Sequence, residues 1–286
     1  MTEKPAIAVI GAGLMGAGIA LVFAAAGHRV ALFDAIEGAR APALARIRDN
    51  LVAIGLDPDA ASAVSLHGQL AAAVAGADFV IEAAPEDLAL KQALFVEIEE
   101  AAKPGAILAS NTSVIPITSI MEKLRNKRRA LGTHWWNPPY LVPLVEVIRT
   151  VDTSDATIET TLALLSSVGK TAVEVKKDIP GFIGNRLQHA LWREAIALVA
   201  EAAAAEALGA SVGGDASSVV VTDLQIAYLS LGRVGPVVTS TRVLSTGPDG
   251  HGSAVVELRD TGADDRLMTV VNAVGAPADP GPGARS

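Results

Sequence analysis

His134 lies near the end of the run RALGTHWW, and Glu146 lies within the next apolar run, LVPLVEVIRT. An imidazole at the C-terminal end of a strand can accept a proton near neutral pH, because its unperturbed pKa is ~6.5. Such a base works better when a carboxylate fixes its tautomer and stabilises the imidazolium, and Glu146, returning on the neighbouring strand, is placed to do so. Further polar groups gather where strands end: Glu82, Glu86 and Lys91 in EAAPEDLALK, Ser110 to Ser113 in SNTS, Asn137 just after the histidine, and Asn185 in GFIGNR. A histidine taken alone is more often a satisfied core or surface residue, and His28, His67, His189 and His251 are read that way.

A glycine pattern near the N-terminus indicates what the base would work beside. Gly11, Gly13 and Gly16 form G-x-G-x-x-G directly after the run AIAVI and before a helical stretch. The first glycine allows a tight turn, the second lets a pyrophosphate approach the backbone, and the third lets the helix pack on the strand. The helix N-terminus then offers free N–H groups and a partial positive charge. Asp34 ends the next run, RVALFD, where a carboxylate accepts hydrogen bonds from ribose hydroxyls and repels a 2′-phosphate. NAD is therefore expected as cofactor in preference to NADP. Beside its nicotinamide, His134 would take the proton of an alcohol as the hydride leaves.

The elements that must position these groups alternate along the chain. Short runs at 6–10, 29–34, 77–83 and 106–110 predict strands, and helical composition follows each of the first three. RALGTHWW, LVPLVEVIRT and TAVEVKK add later strands. Alternation of this kind predicts a Rossmann-type, doubly wound α/β fold with a parallel sheet. The 286 residues are half hydrophobic, enough for a sizeable core, and the net charge of -8 argues against a nucleic-acid surface. The one basic run, KLRNKRR, reads as a solvated turn. Without cysteine there are no disulfides, thiol nucleophiles or zinc-thiolate sites, which suits a cytoplasmic protein, and no metal site is expected. The uncharged stretch from Pro5 to Gly27 approaches a membrane span in length, but its glycines and β-branched start read as strand and turn, so no membrane or targeting segment is expected.

The blocks VIGAGLMGAGIA, VIEAAPEDLALK, LASNTSVIPIT, THWWNPPYLVPLVEVI and DIPGFIGNRL resemble, in order over residues 5 to about 195, those of the NAD-dependent L-3-hydroxyacyl-CoA dehydrogenases. The resemblance implies His134 as catalytic base, Glu146 as its orienting partner, and Ser113 and Asn185 near the substrate oxygen. It implies Gly11, Gly13, Gly16 and Asp34 as cofactor contacts, with Glu86, Lys91 and Asn137 toward the ribose and nicotinamide. The chain departs from the family's usual pair of phenylalanines with Trp135 and Trp136, which either line a pocket or belong to the core. The segment NPPYLVPLVE is more like the lambda-crystallin, gulonate dehydrogenase and carnitine dehydrogenase branch, whose substrates are small hydroxy acids. The expected partner is thus a small molecule, an acyl-CoA or a hydroxy acid, and a homo-oligomer is open.

The domain expectation is an NAD-binding domain over 1–180 and a different segment over 181–286. Residues 181 to about 197 resemble the start of the dehydrogenase helical domain. From there the pattern changes: an alanine-rich helix is followed by four β-like runs and then a Pro/Gly-rich tail, 276–286, expected to be disordered. Short connections between the runs predict hairpins. The segment 198–275 resembles part of a hotdog-fold acyl-CoA thioesterase, in which Glu201 or Glu206 would be the acidic helix residue; both also read as solvated glutamates. Three functions stand at this point: a 3-hydroxyacyl-CoA dehydrogenase, a thioesterase or acyl-binding module, and a chimera that binds NAD without efficient turnover.

Overall fold

The computed structural model describes residues 4–228, 237–247, 251–262 and 264–278. The chain forms two compact units, Met1–Arg186 and Leu187–Ser286.

In the first unit the order is β1 (Ile7–Ile10), α1 (Leu14–Ala25), β2 (Val30–Phe33), α2 (Glu37–Arg40), α3 (Ala43–Ala53), β3 (Val64–His67), α4 (Leu70–Val74) and β4 (Phe79–Glu82). It continues with α5 (Leu88–Ala101), β5 (Ile107–Ser110), α6 (Ile117–Ile120), β6 (Ala130–Trp135), β7 (Leu144–Ile148), α7 (Asp155–Ser167) and β8 (Thr171–Val175). The strands make one eight-stranded sheet in the order β3-β2-β1-β4-β5-β6-β7-β8. Alternate residues of β1 enter opposite cores, Ile7 and Val9 on one face and Ala8 and Ile10 on the other. Both faces are covered by helices, as parallel strands require.

Two features differ from the sequence expectation. β3 was not foreseen, since its run Val-Ser-Leu-His is short and half polar, and its pairing with β2 identifies it. The sheet is also not wholly parallel: β7 runs antiparallel to β6, while β8 is parallel to β7. The segment from Trp136 to Pro143 is too short for a helical crossover, so the chain turns back.

The second unit contains most of α8 (Gly184–Ser211), whose start belongs to the first, and β9 (Val219–Tyr228), β10 (Val237–Thr246), β11 (Gly252–Asp260) and β12 (Arg266–Pro277). Ala200, Ala204 and Leu208 form a buried stripe one turn apart on α8. The two alanines pack with Val256 and Leu258 of β11 and Val271 and Ala273 of β12, and Leu208 with Val219 and Ala254. The sheet is antiparallel in the order β10-β11-β12-β9, so β9 and β10 occupy opposite edges instead of forming the expected hairpin. Residues 229–236 lie between them in the sequence. Those residues, like 279–286 of the tail, lie outside the described set. Ala276 and Pro277, expected in the tail, pair with β9 through Val220 and Val219. Among the described residues no helix is long and apolar enough to cross a membrane.

Candidate active site

β1 runs into the glycine turn, and each glycine there has its own reason. Gly11 has φ +108°, and a Cβ on it would lie 2.6 Å from the Ala83 carbonyl oxygen. A Cβ on Gly16 would lie 1.7 Å from the Gly11 oxygen, so only a bare Cα lets α1 pack this close. At Gly13 a Cβ would meet nothing within 4 Å, which leaves the backbone open to a ligand. Gly13 is also the N-cap of α1, and among the described residues no side chain caps it and no acid sits in the first turn. An anion fits there, where amides point outward with a partial positive charge. Asp34, at the end of β2, is held by amides on both oxygens: Ala12 N donates to Oδ2 at 2.9 Å and Ile36 N to Oδ1 at 2.9 Å. Each carboxylate oxygen keeps acceptor capacity for a ribose hydroxyl. The residues present therefore fit a dinucleotide.

The ends of β4 and β5 carry a buried charge network. Lys91 Nζ donates to Glu82 Oε1 at 2.6 Å and to the Ala84 oxygen at 3.1 Å, and it pairs with Glu86 Oε2 at 3.4 Å. Glu82 also accepts from Ser110 Oγ at 2.6 Å and from Ala84 N at 2.7 Å. The other oxygen of Glu86 accepts from the Thr112 hydroxyl, from Ser113 N at 3.0 Å and from Val114 N at 3.2 Å. Burial pushes the Glu86 carboxyl up, but the Thr112 hydroxyl, the Lys91 charge and the two amides more than reverse this and hold it below the usual carboxylate range.

His134 and Glu146 stand directly opposite in the β6–β7 ladder, which puts both side chains on one face. His134 Nδ1 lies 2.8 Å from Glu146 Oε2, and both side chains are buried. Glu146 Oε1 accepts from Ile183 N and from Gly184 N, each at 3.0 Å, as α8 begins. Burial raises the Glu146 carboxyl, and the hydrogen bonds from His134, Gly184 and Ile183 outweigh it, so the group is held low and charged. The imidazole is flanked by Trp136 and Phe182, with ring centroids 5.1 and 5.7 Å away. Nε2 is the ring nitrogen that this pairing leaves over.

The structure thus brings most of the expected residues into linked groups, while among the described residues no hydrogen bond joins Asn137 to them. Asn185 Nδ2 donates to the Ser113 oxygen at 2.9 Å, which ties the start of α8 to the loop after β5. Ser113 and Asn137 are exposed, Asn137 beside a cis bond to Pro138. The two tryptophans divide: Trp135 is 2% exposed and belongs to the core, whereas Trp136 stands against His134. Glu201 and Glu206 are exposed on α8, outside its buried stripe.

Phe182 and Asp178 escaped the sequence reading, whereas Asn111 was among the polar groups expected where strands end. Phe182 is fully buried with φ +49°, an uncommon value for a bulky residue, and its only sequence signal was an aromatic between the glycines of GFIG. Asp178 accepts from Ile117 N at 2.9 Å and Thr118 N at 2.6 Å, anchoring the same linker on α6. Asn111 Oδ1 accepts from Trp135 N at 2.9 Å and holds the end of β6 beside β5.

A glycine turn after the first strand, a carboxylate after the second and a His–Glu pair at the sheet's far side define a Rossmann-type oxidoreductase domain that uses a dinucleotide. The chain belongs to the 3-hydroxyacyl-CoA dehydrogenase NAD-binding domain family, matching it over residues 6–179. It is 39% identical over 198 residues to 5-formyl-3-hydroxy-2-methylpyridine 4-carboxylate 5-dehydrogenase of Mesorhizobium japonicum, covering 68% of this chain and 64% of that one. It is 38% identical over 199 residues to L-carnitine dehydrogenase of Streptomyces coelicolor, covering 68% and 62%. Among solved structures it resembles 3-hydroxybutyryl-CoA dehydrogenase of Escherichia coli, with TM-score 0.66 and 36% identity over 73% of this chain and 46% of that one. The chain spans under two thirds of the length of these relatives.

Proposed function

We propose that this chain oxidises the 3-hydroxyl of an L-3-hydroxyacyl-CoA, or of a related small 3-hydroxy acid, to the 3-keto product, with NAD as cofactor. The observation that carries the reading is the buried His134–Glu146 pair, 2.8 Å apart, with the second Glu146 oxygen fixed by two amides. His134 Nε2 takes the hydroxyl proton. Its Nδ1–H stays donated to Glu146, whose charge stabilises the imidazolium as it forms. Because Ile183 and Gly184 hold the carboxylate, little reorganisation accompanies proton transfer.

NAD, when bound, supplies the hydride acceptor. Gly11, Gly13, Gly16 and Asp34 would hold its pyrophosphate and ribose, and Glu86, Lys91 and Asn137 its nicotinamide side. Ser113 and Asn185 act on the substrate oxygen, where donors stabilise developing charge. The protein works on a small molecule in the cytoplasm.

The test is NADH formation by the purified full chain, followed by absorbance, with L-3-hydroxybutyryl-CoA, L-gulonate and L-carnitine in parallel. Turnover on one of them supports the reading and names its substrate branch. No turnover on any, with NAD bound, opposes it.

A further inference from the structure

The His134 imidazole has one aromatic neighbour whose placement depends on a missing side chain. Trp136 is tilted 53° to the imidazole with its centroid 5.1 Å away. Its benzo edge fills the space over Gly184: a Cβ there would lie 2.3 Å from Trp136 Cζ2 and 3.2 Å from Cη2. The same Cβ would approach Glu146 Oε2, the oxygen on His134, to 3.2 Å. Gly184 is not among the glycines with positive φ, so its backbone would accept alanine. It is needed for the room it leaves and not for its conformation.

The second flank, Phe182, is fully buried in the core and carries the strained φ, so it has no freedom to follow a displaced imidazole. Trp136 is only partly buried and is the side that can give way. Its indole Nε1 is itself shut from solvent without a hydrogen-bond partner among the described residues, so the ring is held there by shape alone.

We propose that Trp136 and Gly184 are a matched positioning pair that sets the plane of the His134 ring, and with it the direction of Nε2. A methyl at 184 drives the indole toward the imidazole and turns the base away from its proton. A smaller ring at 136 makes room for that methyl. The proposal rests on the reading of His134 as general base, and one arm of its test does not need turnover.

The test is a double-mutant cycle of Gly184→Ala, Trp136→Phe and both together, measured in the full chain. The first readout is the imidazole Cε1–H resonance of His134 in histidine-labelled protein, assigned by its absence in His134→Gln. The ring current of Trp136 displaces it, Gly184→Ala moves it, and Gly184→Ala added to Trp136→Phe leaves it where Trp136→Phe put it. The second readout is kinetic: Gly184→Ala lowers kcat by about 10- to 10²-fold with KM for NAD unchanged, and the double variant returns to the kcat of Trp136→Phe. Additive effects, or an unmoved resonance in Gly184→Ala, overturn the pairing. If Gly184→Ala fails to fold, a folded double variant supports the contact, and an unshifted resonance in Trp136→Phe overturns it. A wild-type chain without turnover defeats the dehydrogenase reading while the resonance still decides the pair.

Discussion

Lys91 Nζ lies 2.6 Å from Glu82 Oε1, and both side chains are essentially closed to solvent. Taking one member away strands the other. Lys91→Met leaves Glu82, among the described residues, with the Ala84 amide and the Ser110 hydroxyl, and breaking a buried pair in this way costs about 3–5 kcal/mol. Urea unfolding should show that loss, and Lys91→Met with Glu82→Leu should recover part of it. A change below about 1 kcal/mol, the scale of a surface pair, would contradict the account.

The glycines of the first turn separate fold from cofactor. Gly16→Ala places a methyl 1.7 Å from the Gly11 oxygen and should lower the melting temperature sharply. Gly13→Ala meets only open space, at φ -68°, so the protein should melt as the wild type does while its affinity for NAD falls at least about tenfold as the pyrophosphate loses its approach. Equal melting temperatures for the two variants would remove this distinction.

Much of the arrangement was legible in the sequence. The β-branched run before Gly11, the acid that ends RVALFD and the order of polar blocks pointed to the sheet, the cofactor end and His134 with Glu146. Supporting contacts were hidden because their signals are not local. Asp178 caps a helix far away in the chain, and Phe182 looks like any apolar linker residue until its φ and its place against His134 are seen. β3 has too weak a pattern to stand alone and exists because β2 offers it an edge. The β9–β10 hairpin failed because short spacing permits a hairpin without requiring one, and β12 pairs with β9 instead.

Acid should destabilise the chain through the site. Glu146 and Glu86 are held below the usual carboxylate pKa of about 4.3, so around and below that pH the unfolded state binds more protons. Their stabilising contribution is complete above the unfolded value and is lost as pH falls through the folded one. Melting temperatures measured from pH 7 down to about 3 should fall over that lower range, and Glu146→Gln should flatten the decline. An identical acid limb in the variant would show that Glu146 contributes none of it.

Asp34 should set the choice of cofactor. With Asp34→Ala the ribose hydroxyls lose their acceptor and the repulsion of a 2′-phosphate ends, so affinity for NAD falls and the preference over NADP narrows. Titration of both dinucleotides by fluorescence reads this directly, and an unchanged ratio would assign the discrimination elsewhere.

The measurement that bears most directly on the central claim is turnover by His134→Ala beside the wild type, on whichever hydroxy substrate the wild type oxidises, with NAD affinity measured in both. The account predicts a fall in kcat of about 10²- to 10⁴-fold with NAD affinity preserved, since in the proposed reaction the imidazole moves a proton and its pair with Glu146 lies apart from the glycine turn. Unchanged kcat in His134→Ala would show that another group is the base.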